Sequence, residues 1–553
     1  MESLLLGWRN SNPLQFSVVR QCVHAIFAQN LFLTAMMPRL FLVILLTQFT
    51  FTGLFAQSVF HSEIVSIVEA KNSEFPFGVA SGDPGPDRVV LWTKVFPKNL
   101  ADEVKTSWVI ATDTTLKNVV GQGSLVADSS SAFTVQVQQQ GLEPSTTYFY
   151  CFYTQTDSSA IGRTRTASIN GESLRFAVAS CSNYQYGYFT AYAHMAKQND
   201  LDAVLFLGDY IYEYGPRADG NRTHIPPHEI VTLEDYRSRY AQYRLDSNLQ
   251  EVHRLHPFIT IWDDHEIANN SYADGAGNHQ DEEGDWETRK ANALQAFYEW
   301  IPVRRRSAES GLFRRLSYGN MAELFMIDGR VEGRSEPIFD YNDSLRYDTV
   351  RTMLGTAQRN WLLQRISNSK SKWRVLVNDV MFAPMDLGKF AGDRRFNMDA
   401  WDGYEGDRNR IFDVLEKDTL RNLIVVTGDI HTAWAIELTR DPSNRDNYDR
   451  KTGKGVWGAE FVVSSISSPN LDEAFNGAVA DLSVPYIKGL KRNKHLRYLN
   501  SKDHGYFILE LNDEEAKATW IYVKNIKKPE LKIKRKRAWA FPYNGRHLKR
   551  VKP

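Results

Sequence analysis

Cysteine is scarce in this sequence: the 553 residues include only Cys22, Cys151 and Cys181. Cys22 precedes a segment that we interpret below as a cleaved signal, so the other two cysteines allow at most one disulfide. Cys151 lies within an apolar strand-like run, which favours a packing role. Cys181 ends another such run beside polar residues, which favours a role as a metal ligand over the disulfide.

The sequence also has no net charge, no internal repeat and no low-complexity region apart from its basic C-terminal end. With 42% apolar and 24% charged residues, its composition is that of an ordinary globular protein. Residues 524–553, however, contain twelve lysines and arginines and a single acid, Glu530. We therefore predict a basic tail, residues 526–553, and favour a solvated run of charge; the alternative is weak contact with polyanions or a membrane surface.

The N-terminal apolar run is too short to span a membrane comfortably. Residues 40–46 follow Arg39, and the apolar stretch that they open leads to Ala56 before the polar Gln57. This arrangement is typical of a secretory signal peptide, which we place at residues 37–56 with cleavage after Ala56. Residues 1–36 are then an over-extended start, and the protein is predicted to be secreted, periplasmic or bound to the cell surface.

Two domains are predicted after the signal, since the chain exceeds what one hydrophobic core usually supports. Short strand-like runs separated by turns indicate a small all-β sandwich of immunoglobulin or fibronectin type over residues 75–167. One of these turns is predicted at residues 121–123. From residue 173 to residue 525 strands alternate with helical stretches, which indicates a larger α/β domain.

Four apolar runs in the larger domain stop abruptly at residues that bind metal ions. Such runs are typical of buried strands, and in α/β folds ligands gather beyond the carboxyl ends of these strands. The residues at the four ends are Cys181, Gly208-Asp209-Tyr210-Ile211-Tyr212-Glu213, Asp263-Asp264-His265-Glu266 and Gly428-Asp429-Ile430-His431. If the ends converge, they form one metal site that suits chemistry rather than a structural role.

Asp209 is the strongest single candidate, because a carboxylate can bridge two cations held about 3.5–4 Å apart. Tyr212, three residues later, can face the same ion within one turn. The alternative role for Asp209 is a cap on the segment that follows the strand.

Asp264 and His265 belong to a run of four ionisable residues directly after an apolar strand. Burying such a run is costly unless a cation relieves the repulsion and the desolvation; surface exposure is the alternative. Asp429 and His431 are two residues apart, so both face the same side of an extended strand end. Asn378 is a weaker oxygen donor, for which a turn role is the alternative.

The ligand types indicate two different metals. Thiolate and phenolate suit a redox-capable ion such as iron, whereas carboxylate and amide oxygens suit calcium, magnesium or manganese. A mixed pair of ions follows if the ligands divide in this way.

Together these motifs resemble those of the alkaline phosphatase D (PhoD-type) family, within the calcineurin-like metallophosphatases. The resemblance runs from about residue 75 to residue 523. It also includes the segments Phe77-Gly78-Val79-Ala80-Ser81-Gly82-Asp83-Pro84, Val90-Leu91-Trp92-Thr93, Phe382-Ala383-Pro384 and Trp401-Asp402-Gly403-Tyr404. It implies an α/β fold, with a metallophosphatase sandwich of two mixed sheets flanked by helices over residues 173–525 and the β-sandwich before it.

The resemblance further implies Fe³⁺ and Ca²⁺ as cofactors, with Asp209 bridging the two ions and Cys181 and Tyr212 binding iron. The implied metal ligands are Cys181, Asp209, Tyr212, Asp264, Asp429 and His431. The implied phosphate-binding residues are His265, Asn269, Asn270 and Arg330. His504 departs from the arginine that we expect before Gly505, which leaves that position without an assigned role.

The implied function is that of an exported hydrolase which cleaves phosphate esters by attack of a metal-bound hydroxide, while His265 protonates or stabilises the leaving alkoxide. The substrate is a small or polymeric phosphate ester. Alternatives are a phosphodiesterase dedicated to teichoic acid, phospholipid or nucleic acid, and a non-catalytic binding protein, for polyanions if the basic tail dominates. We predict a monomer without specific nucleic acid recognition.

Overall fold

A computed structural model of the protein describes residues 59–553, apart from residues 98–102, 305–311, 341, 389–395, 419 and 475–476. The signal peptide predicted at residues 37–56 and the over-extended start at residues 1–36 lie outside the described residues. Within the part of the chain that is described, no helix combines the length and the apolarity needed to cross a bilayer.

The largest sheet has ten strands and is mixed. Its parallel centre consists of neighbouring strands β8, β9, β10 and β1, and the remaining strands pair antiparallel on both sides. In spatial order the strands are β23 (Lys549–Val551), β22 (Ile533–Pro542), β21 (Glu515–Val523), β20 (Gly505–Asn512), β8 (Ser173–Ala179), β9 (Ala203–Leu207), β10 (Pro257–Ile261), β1 (Val79–Gly82), β2 (Arg88–Lys94) and β5 (Thr134–Gln140).

The second large sheet has seven strands and is also mixed, with β14, β15, β16 and β18 parallel to one another. In spatial order its strands are β13 (Arg314–Tyr318), β14 (Ala322–Met326), β15 (Trp373–Val377), β16 (Leu423–Thr427), β18 (Gly458–Val462), β17 (Ala433–Leu438) and β19 (Leu496–Asn500). A short hairpin of β11 (Ser271–Tyr272) and β12 (Gly275–Ala276) lies apart from both sheets.

Helices pack against both large sheets. They are α1 (Ser62–Lys71), α2 (Thr190–Met195), α3 (Leu233–Arg244), α4 (Ser247–Leu255), α5 (Trp286–Trp300), α6 (Gly355–Asn368), α7 (Glu405–Lys417), α8 (Leu471–Ala474) and α9 (Gly477–Gly489).

Alternation along β16 shows how the layers pack. Ile424 and Val426 join the core that the two large sheets share, whereas Leu423 and Val425 point to the opposite face and pack with α6 and α7. Burying each such side chain contributes about 1.5–3 kcal/mol. The predicted sandwich of two mixed sheets flanked by helices is therefore confirmed.

The N-terminal strands form a sandwich with a core of its own. A four-stranded sheet, in the order β4 (Val119–Asp128), β3 (Glu103–Ala111), β6 (Thr147–Tyr153) and β7 (Gly162–Arg165), packs against β1, β2 and β5. Because β1 pairs with β10, the other layer of this sandwich is continuous with the ten-stranded sheet. Cys151 is buried on β6 and, like Cys181, is a free thiol, so the packing role is favoured over the disulfide.

The turn predicted at residues 121–123 is wrong, since these residues lie inside β4. A side chain at Gly123 would begin 3.1 Å from the indole ring of Trp108 on the neighbouring strand. The glycine therefore makes room for a cross-strand aromatic ring and does not mark a turn.

The basic tail predicted at residues 526–553 is also wrong as a description of structure, because much of it is folded. Strand β22 pairs with all nine residues of β21, and β23 pairs with β22. Ala538, Ala540, Phe541 and Leu548 are buried. Lysines and arginines occupy the exposed positions of a strand near the sheet edge, where natural proteins place charge to prevent edge-to-edge association.

Candidate metal centre

The carboxyl ends of parallel strands from both large sheets meet at one place. Cys181 follows β8, Asp209 follows β9 and Asp264 follows β10, while Asp429 and His431 follow β16 of the second sheet. Cys181, Asp209 and Asp264 are buried, and Asp429 has a side chain that is 21% exposed. The convergence of the four strand ends that the sequence predicts is therefore what the structure shows.

The backbone at these ends is held in a conformation that side-chain-bearing residues rarely adopt. Cys181, Asp209, Asp429 and His431 all have φ between 58° and 60°, in the left-handed region. Such a conformation costs about 1–2 kcal/mol per residue, and residues of this kind cluster at functional sites. Gly208 has φ 93°, and a Cβ atom there would lie 2.4 Å from the Cβ of Asp263, so the exits of β9 and β10 approach each other closely.

Two groups of side chains in this region can each hold a metal ion. One group is Cys181, Asp209 and His431, and the other is Asp209, Asp264 and His265; within each group the donor atoms lie within 4.8 Å of one another. Asp209 belongs to both groups. A carboxylate shared in this way is the arrangement that two-cation hydrolases use.

Tyr212 belongs with the thiolate side of the centre. Its hydroxyl donates to Asp209 Oδ2 at 2.8 Å and lies 3.4 Å from His431 Nε2, and the hydroxyl of Ser468 donates to it at 2.6 Å. His431 Nδ1 lies 2.7 Å from the carbonyl oxygen of Pro469, which fixes this nitrogen as the donor and leaves Nε2 free for a metal ion.

The buried acidic side chains of the centre need a cation if they are to be deprotonated. Burial, followed by the charge of Asp209, raises the pKa of the Cys181 thiol well above its usual value. Burial likewise raises the pKa values of Asp209 and Tyr212. Asp209 Oδ1 is buried and has no hydrogen-bond partner among the described residues. A metal ion would supply the missing partner and stabilise the deprotonated ligands, so these residues fit a metal centre.

His265 is oriented by Glu213, a residue for which the sequence indicated no role beyond its place in a motif. Nδ1 of His265 lies 2.7 Å from Oε2 of Glu213, and both side chains are buried. Burial disfavours the charged imidazolium, but Glu213, Asp209 and Asp264 outweigh it and raise the pKa of His265 well above its usual value. The ring contacts those of Tyr212 and Tyr214, at centroid distances of 4.2 and 5.2 Å.

Glu266 is a second residue whose role the sequence did not indicate. Its carboxylate accepts backbone N–H groups of Asp209, Tyr210 and Asp263 at 3.1, 2.6 and 2.9 Å. It is buried, and burial raises its pKa to about 7. Glu266 therefore links the backbone segments that follow β9 and β10.

The two asparagines predicted to bind phosphate donate their backbone N–H groups to carboxylates of the site. The N–H of Asn269 donates to Glu213 at 2.8 Å, and the N–H of Asn270 donates to Asp264 Oδ2 at 2.7 Å. Both residues are half-buried at the edge of the site. Asn378, the weaker candidate, is fully buried; its amide donates to Thr427 Oγ1 and accepts from the indole of Trp401, which favours the structural alternative.

Arg330 lies among carboxylates, and the phosphate contact that the resemblance implied for it stays a prediction. It is fully buried and pairs with Asp263 and, at 2.8 Å, with Asp399. Its Nη2 lies 3.6 Å from Asp264 Oδ2 and 3.7 Å from Asp429 Oδ1. The guanidinium is thus a fixed cation that places Asp264 and Asp429 on the same side of the centre.

His504 occupies the position where an arginine was expected. Its Nε2 lies 3.0 Å from Glu473, and its Nδ1 lies 2.9 Å from the hydroxyl of Ser465. It is buried and held in this network, directly after Asp503 and directly before β20 begins at Gly505.

Comparison with known proteins agrees with the geometry of this centre. The family described as PhoD-like phosphatase matches residues 176–520, and the PhoD-like phosphatase N-terminal domain matches residues 62–168. Alkaline phosphatase D of Bacillus subtilis (strain 168) is 36% identical to this chain over 518 residues, which cover 90% of this chain and 85% of that protein.

Solved structures show the same relationship. The structure of PhoD superposes with a TM-score of 0.78 at 34% identity, covering 87% of this chain and 92% of that chain. The purple acid phosphatase PPD1 from yellow lupin (Lupinus luteus) seeds superposes with a TM-score of 0.51 at 12% identity, covering 83% and 73%, a likeness in fold alone. This chain therefore belongs to the PhoD-like phosphatase family and is a hydrolase of phosphoric esters.

Proposed function

We propose that this protein is a metal-dependent phosphohydrolase that works with two cations, Fe³⁺ and Ca²⁺, on either side of Asp209. The observation that carries the proposal is that Asp209 lies close to potential ligands on two sides, Cys181 and His431 on one and Asp264 on the other. Cys181, Tyr212 and His431 offer thiolate, phenolate and imidazole on one side, which suits iron. Asp264 and Asp429, brought together by Arg330, offer carboxylate oxygens on the other, which suits calcium.

The bound cations would supply Lewis acidity toward the phosphoryl oxygens and activation of a water molecule. The protein's own side chains would handle the proton of the leaving group. His265 is held through Nδ1 by Glu213, so its Nε2 is available to give a proton to the departing alkoxide oxygen. The Glu213 carboxylate, 2.7 Å from Nδ1, favours the protonated form of the imidazole for this step.

A polymeric substrate such as teichoic acid, phospholipid or nucleic acid is the second candidate. The exposed cations at Lys528 and Lys536 favour it, because a phosphate polymer would gain attraction from positive charge on the surface. We also propose that the protein is exported and that its signal peptide is cleaved after Ala56, which N-terminal sequencing of the mature protein tests. We propose that the exported protein is a monomer.

The test of hydrolysis compares p-nitrophenyl phosphate with bis(p-nitrophenyl) phosphate as substrates. We expect the wild type to hydrolyse at least one of them and Asp209→Asn to lose at least about 10³-fold in kcat, because the shared ligand is gone. Asp513→Asn, a variant of an exposed aspartate, is the matched control and should keep full activity. Stoichiometric binding of either ester without turnover by the metal-loaded wild type would support a non-catalytic binding protein instead.

A further inference from the structure

A second cluster of metal-binding side chains lies outside the phosphatase centre. His61, just before α1, and His228, in the segment before α3, both direct Nε2 at Oδ1 of Asp235, in the first turn of α3. The distances to that oxygen are 2.7 Å for His61 and 3.1 Å for His228. All three donor atoms lie within 4.8 Å of one another.

The cluster is held in place by the surrounding backbone. Oδ2 of Asp235 accepts the N–H groups of Val231 and Thr232 at 3.2 and 2.9 Å, which leaves Oδ1 turned toward the imidazoles. The backbone N–H of His61 donates to the hydroxyl of Ser238 at 2.9 Å. Hydrogen bonds of this kind, which orient a metal-binding side chain, are typical of metal sites.

The exposure of the three side chains suits a site at the surface. Asp235 is 7% exposed, His61 26% and His228 52%. An ion held here would keep open positions toward solvent that water can fill. Two imidazoles and one carboxylate form a ligand set that suits Zn²⁺ and its transition-metal neighbours better than Ca²⁺ or Mg²⁺.

We propose that His61, His228 and Asp235 form a separate site for one divalent transition-metal ion such as Zn²⁺. With bonds of about 2.0–2.1 Å, tetrahedral Zn²⁺ spaces its ligand atoms about 3.3 Å apart, so each Nε2 need move less than about 1 Å from its place beside Asp235. The bound ion connects the start of α1 to the first turn of α3. It therefore adds a clamp to α1, which already buries Ile64 and Val68 in the shared core.

The test is a calorimetric titration in which Zn²⁺ is added to the enzyme loaded with iron and calcium. We expect one tight equivalent in the wild type and binding at least about tenfold weaker in His228→Ala and His61→Ala, since each loses one of three protein ligands. His547→Ala, which removes another partly exposed histidine, is the control and should bind Zn²⁺ as the wild type does. Hydrolytic activity should be the same in all four proteins.

Thermal unfolding gives a second measurement on the same proteins. Saturating Zn²⁺ should raise the midpoint of the wild type and of His547→Ala but not that of His228→Ala, because a ligand that binds only the folded state stabilises it. Zn²⁺ uptake that is equal in all variants, with loss of iron, would mean exchange at the phosphatase centre and overturn the proposal. Absence of a tight equivalent in the wild type would leave the cluster as hydrogen bonds alone and overturn it too.

Discussion

At the residue scale, Glu213 and Arg330 contact other side chains of the centre: Glu213 contacts His265, and Arg330 contacts carboxylates. Glu213 holds Nδ1 of His265, and its other oxygen accepts from the backbone of Asn269. Arg330 is enclosed by carboxylates, with Asp399 at 2.8 Å. Both side chains are fully buried, and we expect each of them to position its neighbours.

Glu213→Gln tests this positioning role. The amide keeps the size of the side chain but removes the negative charge that stabilises the His265 imidazolium and fixes its orientation. We expect kcat to fall about 10–100-fold while KM and the content of both metals stay unchanged. The matched control is Glu229→Gln, a neighbouring glutamate that pairs with Arg289 and does not contact His265; a loss of metal in Glu213→Gln would contradict the assignment.

At the element scale, the strands that carry the site were the part most readable from sequence. β9 and β16 stop where the sequence predicts, directly before Gly208 and Gly428, because a buried parallel strand is apolar and ends where polar residues begin. The partners of Glu266 and Arg330 could not be read in this way. They depend on which strand ends lie side by side, and that is a property of sheet order rather than of any local pattern.

Lys94, the last residue of β2, is a buried cation whose energetics can be measured. Its Nζ donates to Thr134 Oγ1 at 2.9 Å and lies 4.6 Å from the Trp300 ring. Burial lowers its pKa from the ordinary 10.5 to about 7, although Glu299 acts in the opposite direction. Between these two values the unfolded chain binds more protons than the folded protein, so the free energy of unfolding rises with pH in this window.

Lys94→Met should therefore raise the free energy of unfolding at pH 7, by roughly 1–3 kcal/mol after the lost contact with Thr134 is included. The gain should shrink as the pH approaches 10, where the lysine is neutral in the folded protein and costs little. Denaturant unfolding at pH 7 and pH 10 measures both values. Lys105→Met, at an exposed position of β3, is the control and should show no such pH dependence; a difference that is constant with pH would be evidence against a buried neutral amine.

At the scale of the whole molecule, the C-terminal segment completes the ten-stranded sheet. The sequence there alternates lysine and arginine with few apolar residues, so charge dominates the pattern and hides the strand. The two-residue alternation of burial along β22 follows from its pairing with β21, and Ala538 and Ala540 are buried on one side. A charged strand near a sheet edge and a basic tail have the same composition, and composition was the basis of the incorrect prediction.

Removal of residues 533–553 should consequently destabilise the protein rather than release a tail. The deletion exposes β21 as a new edge and loses the burial of Phe541 and Leu548. We expect a decrease of at least about 3 kcal/mol in the free energy of unfolding, together with aggregation. Replacing Lys528 and Lys536 by glutamine should leave stability unchanged and reduce retention on heparin. A soluble deletion variant as stable as the wild type would contradict the strand assignment.

The central claim is that Asp209 is shared by two cations, and the direct measurement is elemental analysis of purified wild type and Asp209→Asn with a visible spectrum of each. We predict one iron and at least one calcium in the wild type, with a tyrosinate-to-iron absorption band from Tyr212. In Asp209→Asn both metals and the band should decrease together, while Asp513→Asn keeps all three. A variant that loses one metal and fully retains the other, or a colourless wild type that contains only zinc, would contradict the claim.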